Sequence, residues 1–168
     1  MDTESRNAKT PARDERALWY GLAAAGVAAT AVAGGMAVDP RSSWYRSLRK
    51  PSWQPPPWAF GAVWTPLYAT LAYASGHALG ITEGARRRRL LASVACNLAL
   101  NAGWNWLFFR LRSPRAGLVG CALLDLSNAE LIRRTARIDA TTAYTLLPYA
   151  AWSAFATGLN AAIVRRNT

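Results

Sequence analysis

Residues 17–38 read ALWYGLAAAGVAATAVAGGMAV, 22 consecutive positions without one charged side chain. Wound as a helix at 1.5 Å per residue, that stretch rises about 33 Å, enough to cross the roughly 30 Å hydrocarbon core of a bilayer. A helix on the surface of a water-soluble bundle would show a polar stripe every 3.6 residues. Here small or apolar residues occupy every face, so the stretch reads as a transmembrane helix.

Four further runs follow the same pattern. Residues 58–82 carry no full charge and have His77 near their far end, and residues 90–109 (LLASVACNLALNAGWNWLFF) give another twenty. Residues 116–132 are shorter and contain Asp125 and Glu130, whereas residues 140–164 (ATTAYTLLPYAAWSAFATGLNAAIV) are uncharged throughout. Clumps of arginine mark the boundaries: Arg86 to Arg89, then Arg110, Arg112 and Arg115, then Arg133, Arg134 and Arg137, then Arg165 and Arg166. The expectation is an all-α integral membrane protein, a bundle of five transmembrane helices with a long structured loop between helices 1 and 2. The cations fall almost equally on the two sides, so the positive-inside bias does not set the orientation.

Composition agrees. Of 168 residues, 52% are hydrophobic and 17% charged, below the roughly 25% charged of ordinary soluble domains. The net charge of +11 comes in clumps between apolar runs, where a nucleic-acid binder would spread it over one solvated face; no nucleic-acid partner is expected. Cys96 and Cys121 both lie inside apolar runs, where thiols act as small hydrophobes, and His77 is the only histidine. Neither a disulfide nor a metal site is expected. Residues 1–16 (MDTESRNAKTPARDER) are polar and of mixed charge, unlike a signal peptide, and read as a disordered tail ahead of a membrane domain over 17–168.

The first connection, residues 39–57, is about nineteen residues long and carries Trp44, Tyr45 and Trp53 among prolines. Proline fixes φ and restricts the residue before it, so such a loop loses little entropy in adopting one shape. Two readings fit: a lid folded over the bundle, or an aromatic belt at the headgroup level.

The pattern Trp44-Tyr45, Lys50-Pro51-Ser52-Trp53, Pro55-Pro56, Val63-Trp64 and Leu67-Tyr68 resembles the signature of the TspO/translocator protein family, the tryptophan-rich sensory proteins or peripheral benzodiazepine receptors. Asn97 to Asn101, Trp104 and Phe108-Phe109 continue the likeness, as do Leu147-Pro148-Tyr149, Trp152, Phe155-Ala156 and Leu159-Asn160; it covers about residues 18–167. The resemblance implies five membrane helices whose first loop covers a cavity for porphyrins, haem-like tetrapyrroles and, in animal members, cholesterol and benzodiazepine-type drugs. Carried onto this chain, the ligand-binding residues are Tyr45, Trp53, Trp64, Tyr68, Asn101, Trp104, Cys121, Trp152 and Ala156. Some bacterial members are reported to degrade protoporphyrin in light, which makes Trp64 and Trp152 the candidate catalytic pair. The resemblance also implies a homodimer through helix 3, where Ala95, Ala99 and Gly103 recur at four-residue spacing; a similar stripe, Gly21, Ala25, Ala29 and Ala33, lies on helix 1.

This chain departs from the family in places. The sterol-recognition pattern of animal members is incomplete, since Leu159, Arg165 and Arg166 have no tyrosine between them, and sterol binding is not expected. Asp125 stands inside the fourth span, where an ionisable group faces a cavity or a partner; Asn128, one turn on, is the candidate partner. Glu130 precedes Arg134 by four residues, the favourable order for a helical ion pair. His77 is expected to be polar rather than a haem ligand. Pro66 and Pro148 are expected to kink helices 2 and 5.

The function expected is that of a multi-pass receptor or carrier in a bacterial cell membrane, in contact with membrane lipid and binding porphyrins and related lipophilic molecules. No cofactor is required; protoporphyrin or haem enters as ligand. A light-dependent porphyrin-degrading enzyme and a transmembrane transporter are the alternatives.

Overall fold

The computed structural model describes residues 10–167. Among them the chain is helical without a strand, and five helices are long: α1 (Thr10–Gly35), α3 (Pro57–Gly80), α4 (Gly84–Asn105), α5 (Pro114–Ala136) and α7 (Leu147–Arg166). Two single-turn helices join them, α2 (Ser43–Ser47) in the first loop and α6 (Ala140–Tyr144) before α7. Helix α4 ends in a π-helical turn over Trp106–Arg110, closed by the Leu111 N–H donating to the Trp106 carbonyl five residues back at 3.0 Å.

Local chemistry sets the starts of these helices. Ser113 accepts the Ala116 N–H at 3.1 Å and Pro114 takes the first position of α5, where its missing N–H costs nothing. The Asp139 carboxylate accepts the Thr141 N–H at 3.0 Å and the Thr142 N–H at 3.3 Å to start α6. Residues 140–164 are therefore not one helix. Pro148 does not kink a helix interior but stands in the first turn of α7. A helix continuing through Tyr144 would drive the proline ring into the carbonyl four residues back. Pro66 does lie inside α3.

The long helices close a ring in the order α1, α4, α5, α7 and α3, with α3 returning to α1. Close approach of α1 to its neighbours uses glycines. A β-carbon at Gly76 of α3 would meet the Tyr20 backbone at 2.8 Å, and one at Gly34 would meet the Asn105 side chain at 2.8 Å. The predicted small-residue stripe on α1 is not this seam: Gly21, Ala25 and Ala29 face outward, and Ala23, Val27 and Thr30 are buried instead. Ala95 and Ala99 of α4 are also exposed, with Gly103 half-buried and nothing near its α-carbon.

The N-terminal boundary also shifts. Residues 1–9 of the expected tail lie outside the described residues, but 10–16 are helical, extending α1. Arg87 explains this: its guanidinium reaches Glu15 at 2.6 Å and lies over the Trp19 ring at 5.1 Å.

The bundle exposes large apolar side chains on its outside and buries a set of polar ones within an apolar core built on Leu71, Leu79, Leu90, Leu131 and Leu146. Leu18, Leu22, Val32, Leu91, Val119, Leu123 and Leu126 are exposed, while Asn97, Asn101 and Asn128 are at most 2% exposed. These buried groups form one hydrogen-bonded ladder. The Tyr68 hydroxyl donates to Asn101 Oδ1 at 2.7 Å, Asn101 Nδ2 to the Tyr149 hydroxyl at 3.0 Å, and that hydroxyl to Asn97 Oδ1 at 2.9 Å. Asn97 Nδ2 completes it on Asn128 Oδ1 at 2.6 Å. The ladder ties α3, α4, α5 and α7 in one register, because moving any of them would strand an amide where no water can replace its partner.

Candidate functional site

The loop over residues 39–57 lies across one end of the ring. Asp39 and Ser42 shape its entry: the Arg41 N–H donates to Asp39 Oδ1 at 3.1 Å, and Ser42 Oγ accepts the Tyr45 N–H at 3.3 Å to start α2. Asn167 clasps the far side, accepting the Arg49 N–H at 2.9 Å and donating to the Arg49 carbonyl at 2.9 Å. Trp44 and Tyr45 turn inward. The Trp44 ring meets Phe108 edge-on at 5.5 Å and the Tyr45 ring packs on Phe109 at 5.3 Å. The π-helical turn makes this contact possible. By inserting a residue into the α-helical repeat it rotates Phe108 and Phe109 toward the loop together, and such insertions recur at functional sites.

Beneath the loop is a cavity of about 190 Å³. Its walls are largely aromatic: Tyr45 and Gln54 from the loop, Phe60 and Trp64 from α3, Trp104, Asn105, Phe108 and Phe109 from α4 and its π-turn, and Ala156, Leu159, Asn160 and Ile163 from α7. Polar groups are few and tethered. Asn160 Nδ2 donates to the Pro114 carbonyl at 2.7 Å, and its Oδ1 lies 3.4 Å from Trp104 Nε1. Gln54 Nε2 donates to the Tyr45 hydroxyl at 3.3 Å. Burial pushes the Tyr45 hydroxyl pKa up, with the Gln54 bond pulling the other way, so the group is a neutral phenol at physiological pH. Lys50 Nζ stands 4.3 Å from the centroid of the Tyr45 ring, placing a cation beside the cavity wall, and burial lowers its pKa.

Of the nine residues expected to bind ligand, Tyr45, Trp64, Trp104 and Ala156 line the cavity. Tyr68 and Asn101 stand one layer deeper, in the polar ladder, with Tyr68 packed on Trp64 at 5.3 Å. Trp152 is behind the wall, edge-on to Phe60 at 6.1 Å and stacked on Phe155 at 5.0 Å. Trp53 is 49% exposed and covers Phe155 from outside; Gln54 takes the lining position in its stead. Cys121 is buried in α5 and outside the lining set, and like the exposed Cys96 it is a free thiol. Sequence reasoning passed over Phe60, Asn105, Gln54 and Ile163. Asn105 had a signal, being one turn beyond Asn101 on the same helical face.

The lone polar residues find other roles. Asp125 does not pair with Asn128: Asn128 Oδ1 is taken by Asn97, and Asp125 Oδ2 accepts from Thr157 Oγ1 at 2.6 Å. Neither reaches the cavity. Glu130 pairs with Arg134 at 2.5 Å as expected, and with Arg133 too. His77 Nδ1 lies 2.8 Å from the Tyr20 hydroxyl and its Nε2 is 3.5 Å from Asp139. That is the opposite end of α3 from Trp64, about 20 Å along the helix. Among the described residues no cluster of His, Cys, Asp and Glu could hold a metal ion.

A ring of long helices with apolar side chains outward, and an aromatic-walled cavity under a stiff loop, defines a class of helical membrane proteins with an internal pocket. The chain belongs to the TspO/MBR family, whose model matches residues 22–166, a family of membrane proteins. It is 37% identical to the tryptophan-rich protein TspO of Chlorobaculum tepidum over 76% of this chain and 82% of that one. It is 35% identical to the human translocator protein over 74% and 75% of the two chains, and 32% identical to the tryptophan-rich sensory protein of Cereibacter sphaeroides over 87% and 88%.

Proposed function

We propose that the protein is a membrane receptor or carrier for porphyrins, haem-like tetrapyrroles and related lipophilic molecules, with the loop-covered aromatic cavity as the binding site. The observation that carries this is the convergence of Tyr45, Phe60, Trp64, Trp104 and Phe108 on one cavity. A tetrapyrrole is a flat polarizable disc with anionic edges; aromatic walls supply stacking and area, and Lys50 beside Tyr45 supplies a cation for a propionate. All five long helices cross the membrane in this reading, that of a bacterial cell. Among the described residues only the stretch Arg13–Gly35 is apolar and long enough to do so by composition alone, and the outward-facing leucines of α4 and α5 supply the lipid contact for helices whose polar residues turn inward. The exposed Ala95 and Ala99, with the half-buried Gly103, form the seam of a homodimer in this reading.

The cavity at about 190 Å³ is below the roughly 300–1,000 Å³ of small-molecule sites. Binding a tetrapyrrole therefore requires the loop to rise, carrying Tyr45 and Gln54 with it. Tryptophan fluorescence of the purified full chain, titrated with protoporphyrin, with haem and with a benzodiazepine-type ligand, tests the reading. Saturable quenching is expected, with a smaller amplitude and a similar midpoint in Trp64→Phe; absence of saturable quenching by all three overturns it.

The position of Trp64 supports a second reading, light-dependent degradation of protoporphyrin. An indole in van der Waals contact with a photoexcited porphyrin can give it an electron, and Tyr68 and Tyr149, at 5.3 and 6.1 Å from the Trp64 ring, extend that path inward. Trp152 is one ring removed, behind Phe60. The double variant Trp64→Phe, Trp152→Phe is expected to abolish the light-dependent product while affinity persists; undiminished product in that variant discards the redox role.

A further inference from the structure

At the opposite end of the ring from the aromatic cavity there is a second cavity, about 370 Å³, between the start of α4 and the end of α5. Its lining residues are Ala85, Arg86, Arg89, Leu90, Arg134 and Arg137, with Ile138. Helical geometry explains which arginines gather there. Within the run Arg86 to Arg89, residues three apart share a face, so Arg86 and Arg89 point together toward α5 while Arg87 turns to Glu15 and Trp19 on α1. Arg134 in the last turn of α5 and Arg137, its C-cap, form the matching pair three residues apart. The two helices are antiparallel, with Asn97 bonded to Asn128, and that register carries the pairs past one another.

The charge at this cavity is unbalanced. Among the described residues the acid paired to any of the four is Glu130, which reaches Arg134 at 2.5 Å and shares itself with Arg133. Arg86, Arg89 and Arg137 have no carboxylate within ion-pair distance there. Three guanidinium groups without an acid, beside the paired Arg134, repel one another on this cavity, and an anion that enters relieves the repulsion. The floor is apolar: Leu90 is 1% exposed and Ile138 is half-buried. A cationic rim over an apolar floor suits a ligand that is anionic at one end and hydrocarbon at the other. Its depth agrees, since both arginine pairs stand where an apolar run meets charge, residues 90–109 beginning after Arg89 and residues 116–132 ending before Arg133. In the five-span reading proposed above this is headgroup depth, and basic pockets between membrane helices on the cytoplasmic side hold phosphate-bearing lipid headgroups.

We propose that the cavity lined by Arg86, Arg89, Arg134 and Arg137 is a phosphate-binding site that takes the headgroup of an anionic phospholipid. Guanidinium forks fit the phosphate oxygens two at a time, and Leu90 and Ile138 receive the start of the acyl chains. The site is about 22 Å along α4 from Trp104, counting from Arg89, so it is separate from the aromatic cavity and independent of what that cavity binds.

The test uses the full chain in detergent, with retained lipid measured by native mass spectrometry after equilibration with phosphatidylglycerol or phosphatidylcholine, and with inorganic phosphate as a third probe. Preferential retention of phosphatidylglycerol is expected. The triple variant Arg86→Gln, Arg89→Gln, Arg137→Gln should lower it by about a hundredfold, since each cation near an anionic lipid surface is worth roughly fivefold. Arg88→Gln, on an exposed position outside the lining set, should leave it unchanged. Equal retention of the two lipids, or an undiminished preference in the triple variant, overturns the proposal. Displacement of phosphatidylglycerol by equimolar inorganic phosphate overturns the lipid assignment, because the apolar floor would then contribute nothing. Far-ultraviolet circular dichroism of the triple variant, whose three sites are exposed, separates loss of binding from loss of fold.

Discussion

Replacing Tyr149 by phenylalanine tests whether the polar ladder holds the ring together. The side chain is 1% exposed, and its ring meets Trp64 edge-on at 6.1 Å; phenylalanine keeps that contact and removes one oxygen. That oxygen accepts from Asn101 Nδ2 at 3.0 Å and donates to Asn97 Oδ1 at 2.9 Å. Its loss strands a donor on one asparagine and an acceptor on the other. A stranded buried polar group costs about 1–3 kcal/mol, while hydrogen bonds between membrane helices average about 0.6 kcal/mol by double-mutant cycles. With two groups stranded in a helical interior the expected loss is about 2–3 kcal/mol. Reversible unfolding in mixed micelles, following ellipticity against the mole fraction of denaturing detergent, measures it. Tyr68→Phe is the internal scale, because it strands Asn101 Oδ1 alone and should cost about half as much. A Tyr149→Phe loss below about 0.5 kcal/mol, or equal to that of Tyr68→Phe, would refute the view that this ladder sets the register.

Other perturbations act elsewhere. Gly76→Ala should destabilise by about 1–3 kcal/mol in the same unfolding assay, since its methyl group would meet the Tyr20 backbone at 2.8 Å and α1 must give way. Gly21→Ala, where nothing lies within 4 Å, should instead stabilise by up to about 1 kcal/mol. Ala156→Phe should fill the cavity beneath Tyr45 and abolish saturable quenching by protoporphyrin while leaving the fold intact by circular dichroism; undiminished quenching would move the ligand to another site. The Asp139 carboxyl has its pKa lowered, first by the Thr142 hydroxyl, then by the Thr141 and Thr142 N–H groups and by His77. A lowered folded pKa gives stability that is present above the unfolded value of 3.8 and is lost as pH falls through the folded value. Asp139→Asn should therefore be less stable than the parent at pH 7, with the gap closing below about pH 4 in a thermal-melt pH series; a gap that is constant with pH contradicts the assignment.

The sequence alone determined the helical class and the approximate places of the long helices, because apolar runs of about twenty residues bounded by arginine are one-dimensional signals; the start of α7 and the extension of α1 were not among them. It also reached the family, through the order of tryptophan, proline and asparagine along the chain, and so brought Tyr45, Trp64, Trp104 and Ala156 to the cavity wall, where the structure places them. What it could not determine was depth and facing. Trp53 and Gln54 are neighbours in a loop without a period, and only the packing against Phe155 turns the first outward and leaves the second lining the cavity. Asp125 and Asn128 share a helix face, yet partners on α4 and α7, distant in sequence, claim them separately. The π-turn that rotates Phe108 and Phe109 inward has no composition of its own. The arginine clumps read only as the ends of spans until the antiparallel register of α4 and α5 set two of their faces opposite each other. Periodicity along a chain fixes which residues share a face; which face meets which neighbour depends on contacts between residues far apart in sequence, and those exist only once the ring has closed.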